Sequence, residues 1–174
     1  MHTAILVSHS MEIKKLHTYF VLGLRCPWPV TWAVMARMDG TPIYYPDRTE
    51  WRLHGILHRI GGAAIKWTHG SKEWYEHGQR HRIGEPAMEQ ADGTKKWYEH
   101  GKLHRIGGPA VKWANGTKEW YEHGKQHRIG GPATESANGT KVWWEHGELH
   151  RIGGPAREWA DGTKEWWEHG HQIK

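Results

Sequence analysis

Trp51, Trp74, Trp97, Trp120, Trp143 and Trp166 stand 23 residues apart, and His58, His81, His104, His127 and His150 keep the same step. So do Gly70, Gly93, Gly116, Gly139 and Gly162. Three columns in register mean a tandem array, in which each unit is one supersecondary element that buries its apolar face only against its neighbours. The periodic part covers residues 47–174, and residues 1–46 form a leader that reads as short and irregular or helical.

Each unit contains two dipeptides ending in glycine: His-Gly, as at His123-Gly124, and Asn-Gly or Asp-Gly, as at Asn115-Gly116 and Asp161-Gly162. Asn-Gly and Asp-Gly suit the two-residue type I′ hairpin turn, which needs positive φ at both central positions. Histidine tolerates that region better than most residues. The expected fold is therefore all-β, an elongated single-layer array of antiparallel hairpins. Across His123-Gly124, Glu122 should face Lys125, Tyr121 Gln126, Trp120 His127, and Glu119 Arg128. Across Asn115-Gly116, Val111 should face Trp120, and Trp113 should face Lys118. The "GGPA" segments, with Pro86, Pro109, Pro132 and Pro155, cannot continue a ladder and predict a bend.

Composition limits what such an array can do. Only 37% of the chain is apolar, with 13 tryptophans and one phenylalanine, so a thin structure packed on large aromatics is expected. The chain carries 24 basic and 19 acidic residues. Residues 1–46 hold four and two of these, which leaves 20 and 17 for the array. Interspersed signs of that kind make a mixed solvated surface, not the clustered basic face of a duplex binder. Cys26 is the single cysteine, so neither an intrachain disulfide nor a cysteine-based zinc site is available, and a reducing, cytoplasmic setting is expected. The stretch Thr18 to Ala36 is interrupted by Arg25, Pro27 and Pro29, too short and broken for a transmembrane span. It also reads as a secretory signal flanked by Lys14 and Lys15, or as sequence upstream of a true start at Met35 or Met38.

Catalysis needs unequal residues in distinct roles at one site, whereas here each Glu, His and Arg of the unit recurs in register along the chain. No catalytic residue, metal ligand or cofactor is assigned, and the chain is read as a non-enzyme. His123 with His127 has the spacing of a helical metal pair, but on a hairpin turn these residues are better read as a turn residue and a ring stacked on tryptophan. A second pattern alternates. Leu57, Leu103 and Leu149 occupy every second unit, and Trp67, Trp113 and Trp159 follow ten residues later in the same phase. Leu103, Trp113, Leu149 and Trp159 therefore form an apolar set that a partner or a second copy can use.

The unit "EWYEHGKLHRIGGPAVKWANGTK" resembles the MORN (membrane occupation and recognition nexus) repeat through Trp97, Gly101, Lys102, His104, Gly107 and Asn115-Gly116. Arg105 after the histidine, and Pro109, place it nearer the divergent bacterial and viral MORN-like arrays. The resemblance implies a twisted single-layer sheet of hairpins that serves as a scaffold, dimerising surface or protein-binding module. The expected function is binding of another protein, or of itself in a homo-oligomer, through the face or edge of the array. The alternative is that the arginine column, Arg105 and Arg128 among it, binds a nucleotide, single-stranded nucleic acid or anionic lipid head groups beside the aromatic rings.

Overall fold

The computed structural model describes residues 40–174. The leader readings, including Cys26 and the stretch Thr18 to Ala36, lie outside the described residues. Every regular element described is a β-strand, and most are two residues long. They form a thirteen-stranded antiparallel sheet and five two-stranded hairpins. The sheet begins with Thr41–Tyr44, inside the stretch read as leader, paired with Arg48–Leu53. It then runs as a meander through Ile65–Trp67 and Lys72–Glu73 to Arg157–Glu158 and Lys164–Glu165.

Each 23-residue unit contributes twice. Its Asx-Gly hairpin, such as Val111–Lys112 with Lys118–Glu119, supplies two strands to the long sheet. Its His-Gly hairpin, such as Tyr121–Glu122 with Lys125–Gln126, stands beside that sheet. The side hairpins are bonded to one another: the Gly124 N–H donates to the Leu103 carbonyl at 2.8 Å, and the Arg105 N–H donates to the Tyr121 carbonyl at 3.3 Å. The array is thus two parallel rows of hairpins joined at each tryptophan.

The two turns exchange the roles that the sequence suggests. Among the described residues only the six turn histidines have positive φ outside glycine, 47° to 51°, each followed by a positive-φ glycine. His-Gly is therefore the two-residue turn with both centres in the left-handed region, and its register is the expected one, Tyr121 opposite Gln126 and Glu122 opposite Lys125. At Asn115-Gly116 only the glycine is left-handed, with φ of 92°. The Gly116 N–H reaches the Trp113 carbonyl at 3.0 Å, and the Trp113 N–H reaches the Thr117 carbonyl at 2.9 Å, which defines a three-residue loop. Val111 consequently faces Glu119, and Lys112 faces Lys118, one residue away from the expected register. The cause is local: Asn115 Oδ1 accepts the Thr117 N–H at 2.9 Å, an Asx-turn that holds asparagine out of the left-handed region. Asp92, Asn138 and Asp161 do the same for Thr94, Thr140 and Thr163.

The centre of the array is made of small residues. Ala64, Ala87, Ala110, Ala133 and Ala156, which end the "GGPA"-type segments, are 0% exposed. Each gives its carbonyl to a tryptophan N–H, as Ala133 does to Trp120 at 2.8 Å. The bend expected before them is present, with Gly107, Gly130 and Gly153 at φ of 74° to 78°. Methyl groups are all that fit where the two rows meet. Ala133→Leu should therefore cost about 1–3 kcal/mol of stability through overpacking, read as a lower urea midpoint with an unchanged slope.

Candidate binding surface

Two faces of the long sheet differ in chemistry. Residues opposite one another, or two apart, share a face. Lys112, Lys118 and Trp120 therefore lie on one side, and Val111, Trp113 and Glu119 lie on the other.

On the first side an arginine covers five of the six column tryptophans, and Lys174 lies over the sixth, Trp166. The guanidinium carbons of Arg59, Arg82, Arg105, Arg128 and Arg151 sit 3.8–4.0 Å from the ring centroids of Trp51, Trp74, Trp97, Trp120 and Trp143. Nη1 of each also donates to a backbone carbonyl four residues on, as Arg128 does to Pro132 at 3.0 Å. Arginine thus clamps the bend onto the indole, a cation–π contact of about 0.5–2 kcal/mol. The second glycine of the motif makes room for it. A Cβ at Gly131 would lie 3.0 Å from the Arg128 guanidinium carbon, and one at Gly154 would lie 2.9 Å from that of Arg151. The expected pairing of Arg128 with Glu119 does not occur. Arg128 meets Glu135 at 2.7 Å, and Arg151 meets Glu158 at 2.9 Å, because the bend returns the arginine to the next strand pair.

Beyond these clamps the "HRIG" isoleucines project into solvent. Ile83, Ile106, Ile129 and Ile152 are 79–87% exposed, one per unit. A recess of about 400 Å³ lies between Ile106 and Ile129, walled by Trp120, Arg128 and Glu122. An equivalent recess of about 400 Å³ lies between Ile129 and Ile152, and one of about 390 Å³ between Ile60 and Ile83. The surface is a regular alternation of apolar ridge and charged groove. The column recurs at the 23-residue step, but periodicity alone does not distinguish an exposed isoleucine from a buried one.

The expected apolar set divides differently. Leu149 is buried opposite Trp144 and Leu103 is half-buried opposite Tyr98, so both leucines serve packing within the side hairpins. Trp113 and Trp159 are 37% and 41% exposed and lie on the second side. At Trp67 and Trp113 the alternation has a hydrogen-bond cause, whereas Glu165, six residues after Trp159, accepts from Trp167 Nε1 at 3.0 Å. Trp113 Nε1 donates to Glu119 Oε1 at 2.8 Å, and the Tyr121 hydroxyl donates to Glu119 Oε2 at 3.1 Å. Trp67, Glu73 and Tyr75 repeat the arrangement at 3.2 and 3.0 Å. A glutamate six residues after the tryptophan was the signal. Burial first, then the neighbouring carboxylate, pushes the Tyr75 and Tyr121 hydroxyls up to about 12.

The histidines do not stack on tryptophan as expected. His104 and His123, one from each of two successive units, are stacked with ring centroids 4.5 Å apart. The His123 backbone N–H donates to His104 Nδ1 at 3.1 Å, and the same bond joins His58 to His77, His81 to His100, His127 to His146 and His150 to His169. An accepting Nδ1 assigns the proton to Nε2, which faces a glutamate: His127 to Glu122 at 3.5 Å, His150 to Glu145 at 3.3 Å. Among the described residues no three His, Cys, Asp or Glu side chains gather as a metal site needs. No helix among them is long and apolar enough to cross a membrane.

Two measurements check this assignment. His127→Phe keeps a ring but takes the acceptor from the exposed His146 N–H, and should cost about 0.5–1.5 kcal/mol by urea denaturation. The tyrosines give the second, since a hydroxyl raised from 10 to about 12 stabilises the fold below pH 10 and loses that contribution as pH rises towards 12. Alkaline denaturation followed by phenolate absorbance should therefore begin above pH 10, and Tyr75→Phe with Tyr121→Phe should flatten it.

Compared with family models and with curated proteins, the chain matches none, so its function is argued from the geometry above.

Proposed function

We propose that the array is a non-enzymatic scaffold that associates with a second copy of itself through the isoleucine ridge. The observation that carries this reading is the pitch of that ridge. Each unit adds two strands, about 10 Å of sheet at ~4.8 Å per strand. Ile83, Ile106, Ile129 and Ile152 repeat at that interval with recesses between them. A partner that seats on every ridge and groove must have the same pitch, and a second copy has it by construction.

Charge and area support the same occupant. Each recess is lined by two arginines and one glutamate, Arg105, Arg128 and Glu122 or Arg128, Arg151 and Glu145, and with Arg128 and Arg151 paired to Glu135 and Glu158 both signs face a second copy. Burying one isoleucine stabilises by roughly 1.5–3 kcal/mol, and four together give about 6–12 kcal/mol. That is on the scale of the ~4–15 kcal/mol cost of association. The resemblance to MORN arrays points in the same direction.

Sedimentation equilibrium tests the proposal. The wild-type chain should form a dimer, and Ile106→Glu with Ile129→Glu should shift it to monomer while leaving the circular dichroism unchanged, since both side chains are 87% exposed. Trp113→Ala with Trp159→Ala, on the opposite face, should leave the dimer intact. A wild-type chain that stays monomeric at its highest soluble concentration overturns the proposal.

A further inference from the structure

The glutamate that stands seven residues after a clamp arginine is replaced by lysine in two units, as Lys66 after Arg59 and as Lys112 after Arg105. Arg82 is held by Glu85 and by Glu89, Arg128 by Glu135, and Arg151 by Glu158. The glutamate seven residues after each of these arginines is replaced, after Arg105, by Lys112. Arg105 has no carboxylate within ion-pair distance among the described residues; its Nη1 donates to the Pro109 carbonyl at 3.2 Å. Lys112 also stands directly opposite Lys95 on one neighbouring strand and Lys118 on the other. Like charges in facing positions destabilise a sheet. Lys118 is relieved by Glu135 at 3.9 Å. Glu89, opposite Lys95, is drawn to Arg82 at 3.6 Å. Arg105, Lys95 and Lys112 are left as three uncompensated cations.

These three side chains line one recess of about 530 Å³ whose wall includes Trp97. Its two carboxylates, Glu85 and Glu89, are the pair already engaged by Arg82. The Trp97 ring is only 6% exposed, beneath the Arg105 guanidinium at 3.9 Å and the Lys112 ammonium at 5.7 Å. Its indole N–H is buried and has no acceptor among the described residues. The indoles of Trp67 and Trp113 each have a glutamate for that purpose. A buried donor without an acceptor is costly and marks a place where an acceptor is missing.

We propose that this recess is a binding site for a phosphate-class oxyanion. Arg105 offers a planar fork of donors, Lys95 and Lys112 add point charges from adjacent strands, and Trp97 supplies the otherwise unpartnered N–H. Three cations match a dianion better than a single carboxylate. The site shares Arg105 with the recess between Ile106 and Ile129, but it is built within one chain and does not depend on self-association.

The test is a phosphate titration of the full chain, labelled with ¹⁵N at the indoles, at ionic strength held constant with chloride. One indole N–H, assigned to Trp97 through Trp97→Phe, should move saturably. Lys112→Glu restores the arrangement of the Arg82, Arg128 and Arg151 units, so it should fold at least as well as wild type while binding phosphate about tenfold or more weakly, as expected for loss of a charged hydrogen bond. Lys95→Gln should weaken binding in the same direction. Parallel titration with O-phosphoserine separates free phosphate from a phosphate ester as the source: equal affinity means that the site reads the phosphoryl group alone, and tighter binding means that the recess also holds the body that carries it. Unsaturable shifts, equal shifts at all indoles, or wild-type affinity in Lys112→Glu overturn the site.

Discussion

The bond from a turn histidine N–H to the Nδ1 of the preceding unit's histidine, made by five of the six turn histidines, fixes more of this molecule than any other contact. It joins residues 19 apart, as in His104 and His123. It helps to hold a non-glycine residue in the left-handed region, a conformation that costs roughly 1–2 kcal/mol outside glycine. That conformation gives the two-residue turn, the turn sets the register of Tyr121 with Gln126, and the register places Trp120 beside the next bend. The ring's other nitrogen is thereby aimed at a glutamate on the side hairpin. One histidine in each unit thus determines a tautomer, a turn and a strand pairing.

Stability and the proposed recognition fall to different residues of the same motif. Within "HRIGGPA", His127 and Ala133 bind the units together, Arg128 presses the bend onto Trp120, and Ile129 is left outside. An apolar residue displayed in every unit carries a solubility cost, which the motif does not need for folding. A fold this thin has little interior in which to place side chains, so departures from the repeat are spent on its surfaces. Lys112 is one such departure, and Trp113 with Glu119 is another.

The architecture was legible because periodicity and glycine turns are written directly in the chain. The two kinds of hairpin, their antiparallel pairing and the bend before each alanine all followed from Gly, Pro and Asx positions. Register across Asn115-Gly116 was not legible, since one side-chain bond from Asn115 to the Thr117 N–H converts a two-residue turn into a three-residue one. The partners of Arg128 were missed for a related reason, because they depend on how the bend returns in space. The surface was least legible of all. Leu149 and Ile129 are alike in hydrophobicity, yet one is buried and the other is exposed. Only the geometry of the bend separates them.

The ties between units have a kinetic consequence. Histidine to turn histidine spans 19 residues, and the Thr117 hydroxyl reaches the Ala137 N–H across 20. Such contacts close short loops whose entropic cost is the same at every point of the array. No strand must wait for a distant segment, so contact order is low for an all-β chain and folding can nucleate in any adjacent pair of units and spread as a zipper. Insertion or loss of whole 23-residue units preserves every one of these loops, whereas a change of any other length breaks the zipper at the point where it occurs.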